Sequence, residues 1–239
     1  MAPPISRART ADADLISRLH ALSLSRPWTA LSWIQSSYDV IIEEMSIKIT
    51  YTRRAKRVER WIRAVKRDLD AAEIKVVGLD CEFTDPRLGR ANQSVAVIQL
   101  SVAQETLVFH AVHADEVPEA LFDFLADEDI KFCGAGIQND VTMLRRTYDA
   151  VRIPSAINLQ QVLRNPTAKP TPSLYDLANH YIRMSLKPKK KIRMPPKIED
   201  ELTEDEALVF GWGNFPLSHN QLQYAALDAR LGFELGRII

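Results

Sequence analysis

Cysteine is nearly absent from this 239-residue chain: only Cys81 and Cys133 occur, each inside an apolar run. Two such thiols exclude a disulfide framework and fit buried, reduced side chains in an intracellular setting, nucleus and/or cytoplasm. No stretch of about 18 apolar residues occurs, so no membrane span is expected, and the N-terminal region lacks the apolar core of a secretory signal. Arg7 and Arg9 precede any acid, but Asp12 and Asp14 follow, which argues against a transit peptide. Net charge is missing as well, because 31 Lys and Arg balance 31 Asp and Glu. No whole-molecule field therefore draws the chain to nucleic acid or anionic lipid, and any such role must come from local clustering. No Cys and His cluster has zinc-ligand character, and no internal repeat is evident.

What is present is a composition that can bury a core, 46% hydrophobic and 26% charged, as expected for one main domain. Residues 1–36 read as a separable N-terminal helical extension, with Leu15, Ile16, Leu19 and Leu22 on one face and a Trp28 to Trp33 segment after Pro27. The main domain is expected over 37–239. Tyr38 to Thr52 alternates in part and reads as a strand or a hairpin at a sheet edge. Arg53 to Ala72 turns helical, with Val58, Trp61, Ile62, Val65 and Leu69 on one buried stripe. Its other faces carry Arg53, Arg54, Lys56, Arg57, Arg60, Arg63, Lys66 and Arg67, which suit either a solvated surface or phosphate contact.

Short apolar runs at Ile74 to Phe83, Val95 to Ser101, Thr106 to Ala111 and Ile130 to Cys133 read as strands of one sheet. From Leu144 the pattern is mainly helical. Thr171 and Pro172 suggest an N-cap and first helical position before the stripe Leu174, Leu177, Ala178, Tyr181 and Ile182. Residues 186–211 read as an exposed excursion, basic from Lys187 to Arg193 and acidic from Glu199 to Glu206.

Side chains on a strand alternate faces, so Asp80 and Glu82 project together from the Ile74 to Phe83 strand while Cys81 enters the opposite layer. Acids clustered beside a core strand are costly unless a cation joins them, although a strand that simply ends at Asp80 would leave both solvated. A hard divalent ion with oxygen ligands explains the pairing. The stretch from Ile130 through Gly134, Gly136, Asn139 and Asp140 reads as strand, glycine bend and helix start. Asp140 then lies in a first turn, where the helix dipole alone would also favour an acid. Ser218 to Gln221 has capping-box form and sets Tyr224 and Asp228 one turn apart on one face of the last helix.

These three segments resemble motifs I, II and III of the DEDDy 3'-5' exonucleases, a family with a ribonuclease H-like, DnaQ-like α/β fold: a mixed sheet flanked by helices. Werner-syndrome-type exonuclease domains, with a plant member in view, are the nearest kin recognised. The resemblance runs from about Val76 to the C-terminus and takes in Gly89-Arg90, Ile98-Gln99-Leu100, Gly134 to Ile137, Ser173-Leu174 and Trp212 to Ser218. It implies that Asp80, Glu82, Asp140 and Asp228 hold two Mg2+ ions, with Mn2+ as a substitute, and that Tyr224 orients the attacking water. It implies a single-stranded or 3'-recessed nucleic-acid substrate, DNA as in the Werner-type enzymes or RNA as in ribonuclease D relatives. The remaining alternatives are a catalytically idle nucleic-acid-binding module and a purely structural or interaction protein that uses the Lys187 to Arg193 and Glu199 to Glu206 blocks. Relatives also suggest a homo-oligomer and a helicase or small-RNA silencing partner. Lys189, Lys190, Lys191 and Arg193, in a link longer and more charged than usual, suit substrate phosphates, a nuclear-localisation pattern or a plain solvated loop.

Overall fold

The structure, a computed structural model, describes residues 37–42, 45–86, 92–188 and 202–239. The expected N-terminal extension and the Lys189 to Arg193 cluster lie outside the described residues. Alternating exposure along β1 (Ser37–Ile42) and its antiparallel register with β2 (Met45–Thr52) make the expected hairpin, and β1 is a sheet edge. Helix α1 (Ala55–Asp70) follows, burying Val58, Trp61, Ile62, Val65 and Leu69. Then come β3 (Val76–Phe83), β4 (Val95–Val102) and β5 (Glu105–Phe109). A 3-10 turn (Ala111–His113), α2 (Glu119–Ala126), β6 (Lys131–Gly134) and α3 (Ile137–Thr147) lead to β7 (Ala156–Asn158). The chain ends with α4 (Leu159–Val162), α5 (Leu174–Tyr181), α6 (Glu204–Phe210), a 3-10 turn (Gly211–Gly213) and α7 (His219–Gly236).

The seven strands lie in the order β1-β2-β5-β4-β3-β6-β7. β2 runs parallel to β5, β3 parallel to β6, and β4 antiparallel to both β3 and β5. The carboxyl ends of β2, β5, β3 and β6 therefore share one edge of the sheet. Crossovers of this kind bury both sheet faces, and all eight residues of β4 are buried.

One face is covered by α1 and α2, where Trp61, Phe124 and Phe132 meet edge to face at centroid distances of 6.4 and 5.8 Å. Phe132 pairs with Val77, so Val77, Leu79 and Cys81 belong to this layer. The other face carries Gly78, Asp80 and Glu82 and receives α7. A Cβ on Gly78 would clash with the Ala229 carbonyl oxygen and lie 2.5 Å from the Phe233 amide, so the absent side chain lets helix and strand backbones touch. That close approach sets α7 across the acid-bearing face.

Three expectations are corrected. The cap of α5 is Ser173 rather than Thr171: Ser173 Oγ accepts the Asp176 amide at 3.1 Å while the Asp176 carboxylate accepts the Ser173 amide at 2.9 Å. That reciprocal pairing satisfies two otherwise orphaned donors. Strand β7 lies within the stretch read as mainly helical, and α6 lies within the stretch read as an exposed excursion, capped by Thr203 and Glu206. Among the described residues no helix is long and apolar enough to cross a membrane.

Candidate active site

Strand β3 brings two acids to the α7 face just before its exit. Its pairing with β4 sets Asp80 opposite Gln99 and Glu82 opposite Val97, then shifts register between Glu82 and Phe83. Such an irregularity bends a strand and re-aims its side chains. Thr84 fixes the exit, its amide donating to Ser94 O at 2.9 Å and its Oγ1 accepting the Ser94 amide at 3.0 Å.

Helix α7 supplies the third acid. Its start is held by a capping box, in which the Gln221 amide donates to Ser218 Oγ at 3.2 Å and the Ser218 amide to Gln221 Oε1 at 2.9 Å. The amide nitrogen of the buried Gln221 side chain also donates to Ala207 O and Gly211 O, both at 3.1 Å. From this anchored start Tyr224 and Asp228 follow on one face. Carboxylate oxygens of Asp80, Glu82 and Asp228 lie within 4.8 Å of one another, and Asp228 is only 4% exposed.

At that spacing two carboxylate charges repel by about 3 to 4 kcal/mol at an effective dielectric near 20, more than a surface ion pair returns. A hard cation bound by oxygens at about 2.0 to 2.6 Å places opposite ligands about 4 to 5 Å apart. The donor set and its spacing therefore fit a divalent metal ion.

Asp140 sits apart from that trio, in the first turn of α3. The turn into α3 passes through Gly136 at φ +71, a left-handed conformation that favours glycine. Asn158 at the end of β7 braces this bend, its Oδ1 accepting the Gly136 amide at 3.0 Å and the Gln160 amide at 3.1 Å. Asp140 is 5% exposed, and burial pushes its pKa up to about 8. The Cys81 thiol is raised well above its usual value by burial first, then by Asp140, Asp80 and Glu82, which puts Asp140 within electrostatic reach of the acid-bearing strand.

Tyr224 is also held in its protonated form, by burial first and then by the Asp228, Glu82 and Asp80 carboxylates. The phenol therefore lies within electrostatic reach of the same three acids. Trp212 packs at 5.9 Å from its ring.

Other groups at this edge escaped the sequence reading. Tyr51, at the end of β2, accepts the Leu217 amide at 3.1 Å and donates to His110 Nδ1 at 2.8 Å, while His110 Nε2 donates to Trp212 O at 3.2 Å. These bonds clamp the Trp212 to Leu217 segment onto the sheet edge and so hold Trp212 against Tyr224. The contacts join residues 59 to 166 positions apart and have no local pattern. Among the described residues, neither side-chain amide atom of Gln99, fully buried opposite Asp80, has a hydrogen-bond partner; the signal for it was a polar residue inside the apolar run Val95 to Ser101.

A family model described as a 3'-5' exonuclease matches residues 53–239. The mouse (Mus musculus) bifunctional 3'-5' exonuclease/ATP-dependent helicase WRN is 32% identical over 159 residues, covering 66% of this chain and 10% of that protein. A 3'-5' exonuclease of Arabidopsis thaliana is 28% identical over 199 residues, covering 80% of this chain and 63% of that protein. The chain thus spans less than two thirds of either relative. Among solved structures, the catalytic core of RRP6 from Trypanosoma brucei aligns with a TM-score of 0.61 and 13% identity, over 80% of this chain and 45% of that one. That likeness bears on fold, and it agrees with the ribonuclease H-like mixed sheet described above. Since the family pattern takes in most of its length, the chain belongs to the 3'-5' exonuclease family.

Proposed function

We propose that this chain hydrolyses the terminal phosphodiester of a nucleic acid from its 3' end, releasing nucleoside monophosphates. Asp80, Glu82, Asp140 and Asp228 would hold two Mg2+ ions, with Mn2+ able to substitute, and residues 37–239 would form the catalytic domain. The carrying observation is the convergence of Asp80, Glu82 and Asp228 within 4.8 Å. When bound, the divalent ions would favour deprotonation of a water and offset charge on the phosphate and departing 3' oxygen.

The chain's own groups divide the remaining work. Tyr224 keeps its proton across the working pH range, given the direction of its shift, so it acts as a hydrogen-bonding group that orients the attacking water and not as a base. The Tyr51, His110 and Trp212 contacts keep that phenol in place. DNA is the substrate we favour, supported by the sequence likeness to a WRN-type exonuclease.

Labelled DNA and RNA oligonucleotides, single-stranded and 3'-recessed, incubated side by side with Mg2+ test this reading, with Asp80→Ala as control. Shortening of DNA that Asp80→Ala abolishes is expected. Shortening of RNA alone would transfer the activity to RNA, and no shortening of either would leave a binding module. Calorimetric titration with Mg2+ and Mn2+ separates that last case, since an idle module predicts no metal binding at these acids.

A further inference from the structure

The segment Trp212 to Leu217 alternates in an unusual way: Trp212 and Leu217 are each 1% exposed, while Phe215 between them is 46% exposed. Phe215 is nevertheless fixed. His113 Nε2 donates to Gly213 O at 2.7 Å, the Leu217 amide donates to Tyr51, and the His110 and His113 rings lie 5.8 and 5.6 Å from the Phe215 ring. The Arg53 guanidinium sits over that ring, 4.9 Å from its centroid. An exposed aromatic ring braced at this many points differs from an apolar side chain that merely failed to find cover.

Its place is equally specific. Arg53 follows the last residue of β2 and His110 the last residue of β5. Both strands run parallel to β3, so the ring stands on the same sheet edge as Asp80 and Glu82, and Trp212 of the same segment touches Tyr224. From Arg53 the exposed cations Lys56, Arg60, Arg63 and Arg67 continue along α1, at spacings that put them on one stripe. A half-exposed aromatic ring with a cation over it, continued by a line of positive charge, matches single-stranded nucleic acid, whose bases stack on aromatic rings while its phosphates follow cations.

We propose that Phe215, with Arg53 against it, is a stacking platform for a nucleobase of the bound strand near its 3' end. The platform is indifferent to base identity, because every base offers a π-face. This inference rests on the exonuclease reading and names how that site grips its substrate.

The test compares kcat/KM for oligonucleotides that are intact or carry one abasic residue, moved through each of the last few nucleotides in turn. For the unmodified protein one abasic position is expected to lower kcat/KM about tenfold, mainly through KM, the usual scale of one base stacked on an aromatic ring. Phe215→Ala should lose about the same on intact substrate and show no further penalty at that position, and Phe215→Trp should restore the intact value. If the unmodified protein degrades the oligonucleotides with no abasic penalty at any position, the platform is wrong and the exonuclease reading stands. The same holds if Phe215→Ala matches the unmodified protein. If the unmodified protein degrades nothing, both fall.

Discussion

At the residue scale the account rests on a division of labour among five side chains. Carboxylate oxygens of Asp80, Glu82 and Asp228 lie within 4.8 Å of one another, and Tyr224, a neutral phenol, is within their electrostatic reach. Asp80→Ala should lower turnover by about a thousandfold or more, since it removes charge stabilisation worth several kcal/mol in the transition state. Tyr224→Phe should instead lower kcat by roughly a hundredfold while Mg2+ affinity, read by calorimetry, stays within about twofold. A parallel loss of metal affinity in Tyr224→Phe would refute the separate role of the phenol. Asp140 adds a pH signature. Burial pushes its folded-state pKa from 3.8 up to about 8, so between those values the native state binds the extra proton and stability falls as pH rises. In excess chelator the protein should therefore be more stable near pH 5 than near pH 8, and Asp140→Asn should flatten that slope in thermal melts. An unchanged slope in Asp140→Asn would contradict the assignment of the burial cost to this carboxyl.

At the element scale, the site depends on how closely α7 lies on β3. Gly78→Ala puts a Cβ into the Ala229 carbonyl and 2.5 Å from the Phe233 amide. Backbone cannot yield as a flexible side chain can, so a loss of about 3 kcal/mol or more is expected, with loss of activity even where the variant folds. Full activity in Gly78→Ala would show that the helix can stand off from the strand without harm. Ser218→Ala removes one side of the capping box at the start of α7, and about 1 kcal/mol of stability should go with it, seen as a melting shift of about 2 to 4 °C.

Much of this layer was legible beforehand because it follows local periodicity. The stripe of α1, the alternation of β3 that put Asp80 and Glu82 together, and the Ser218 to Gln221 box all depend on neighbours within one or two turns. What was illegible depends on distant partners. Strand β7 is three residues long and gains strand form only by pairing with β6, and α6 follows a charged run that masked its Thr203 cap. At α5 both Thr171 and Ser173 have cap chemistry, and the Asp176 side chain three residues after Ser173 decided between them.

At the scale of the whole molecule, a chain with no net charge separates its charges into distinct regions. Acids converge at the ends of β3 and α7, while cations gather along α1. Because the clustered acids, Asp228 buried and Asp80 and Glu82 half-buried, repel one another in the metal-free state, ions that bind the native fold alone should stabilise it by mass action. Saturating Mg2+ or Mn2+ should raise the melting temperature, Asp228→Asn should remove most of that increase, and an equal increase in both would place the metal elsewhere. The most direct test of the central claim is the fate of a 5'-labelled single-stranded oligonucleotide incubated with the protein and Mg2+. The account predicts a ladder shortened stepwise from the 3' end with release of nucleoside monophosphates, abolished by chelator and by Asp80→Ala. Shortening that persists in chelator, or in Asp80→Ala at the same rate, would contradict it.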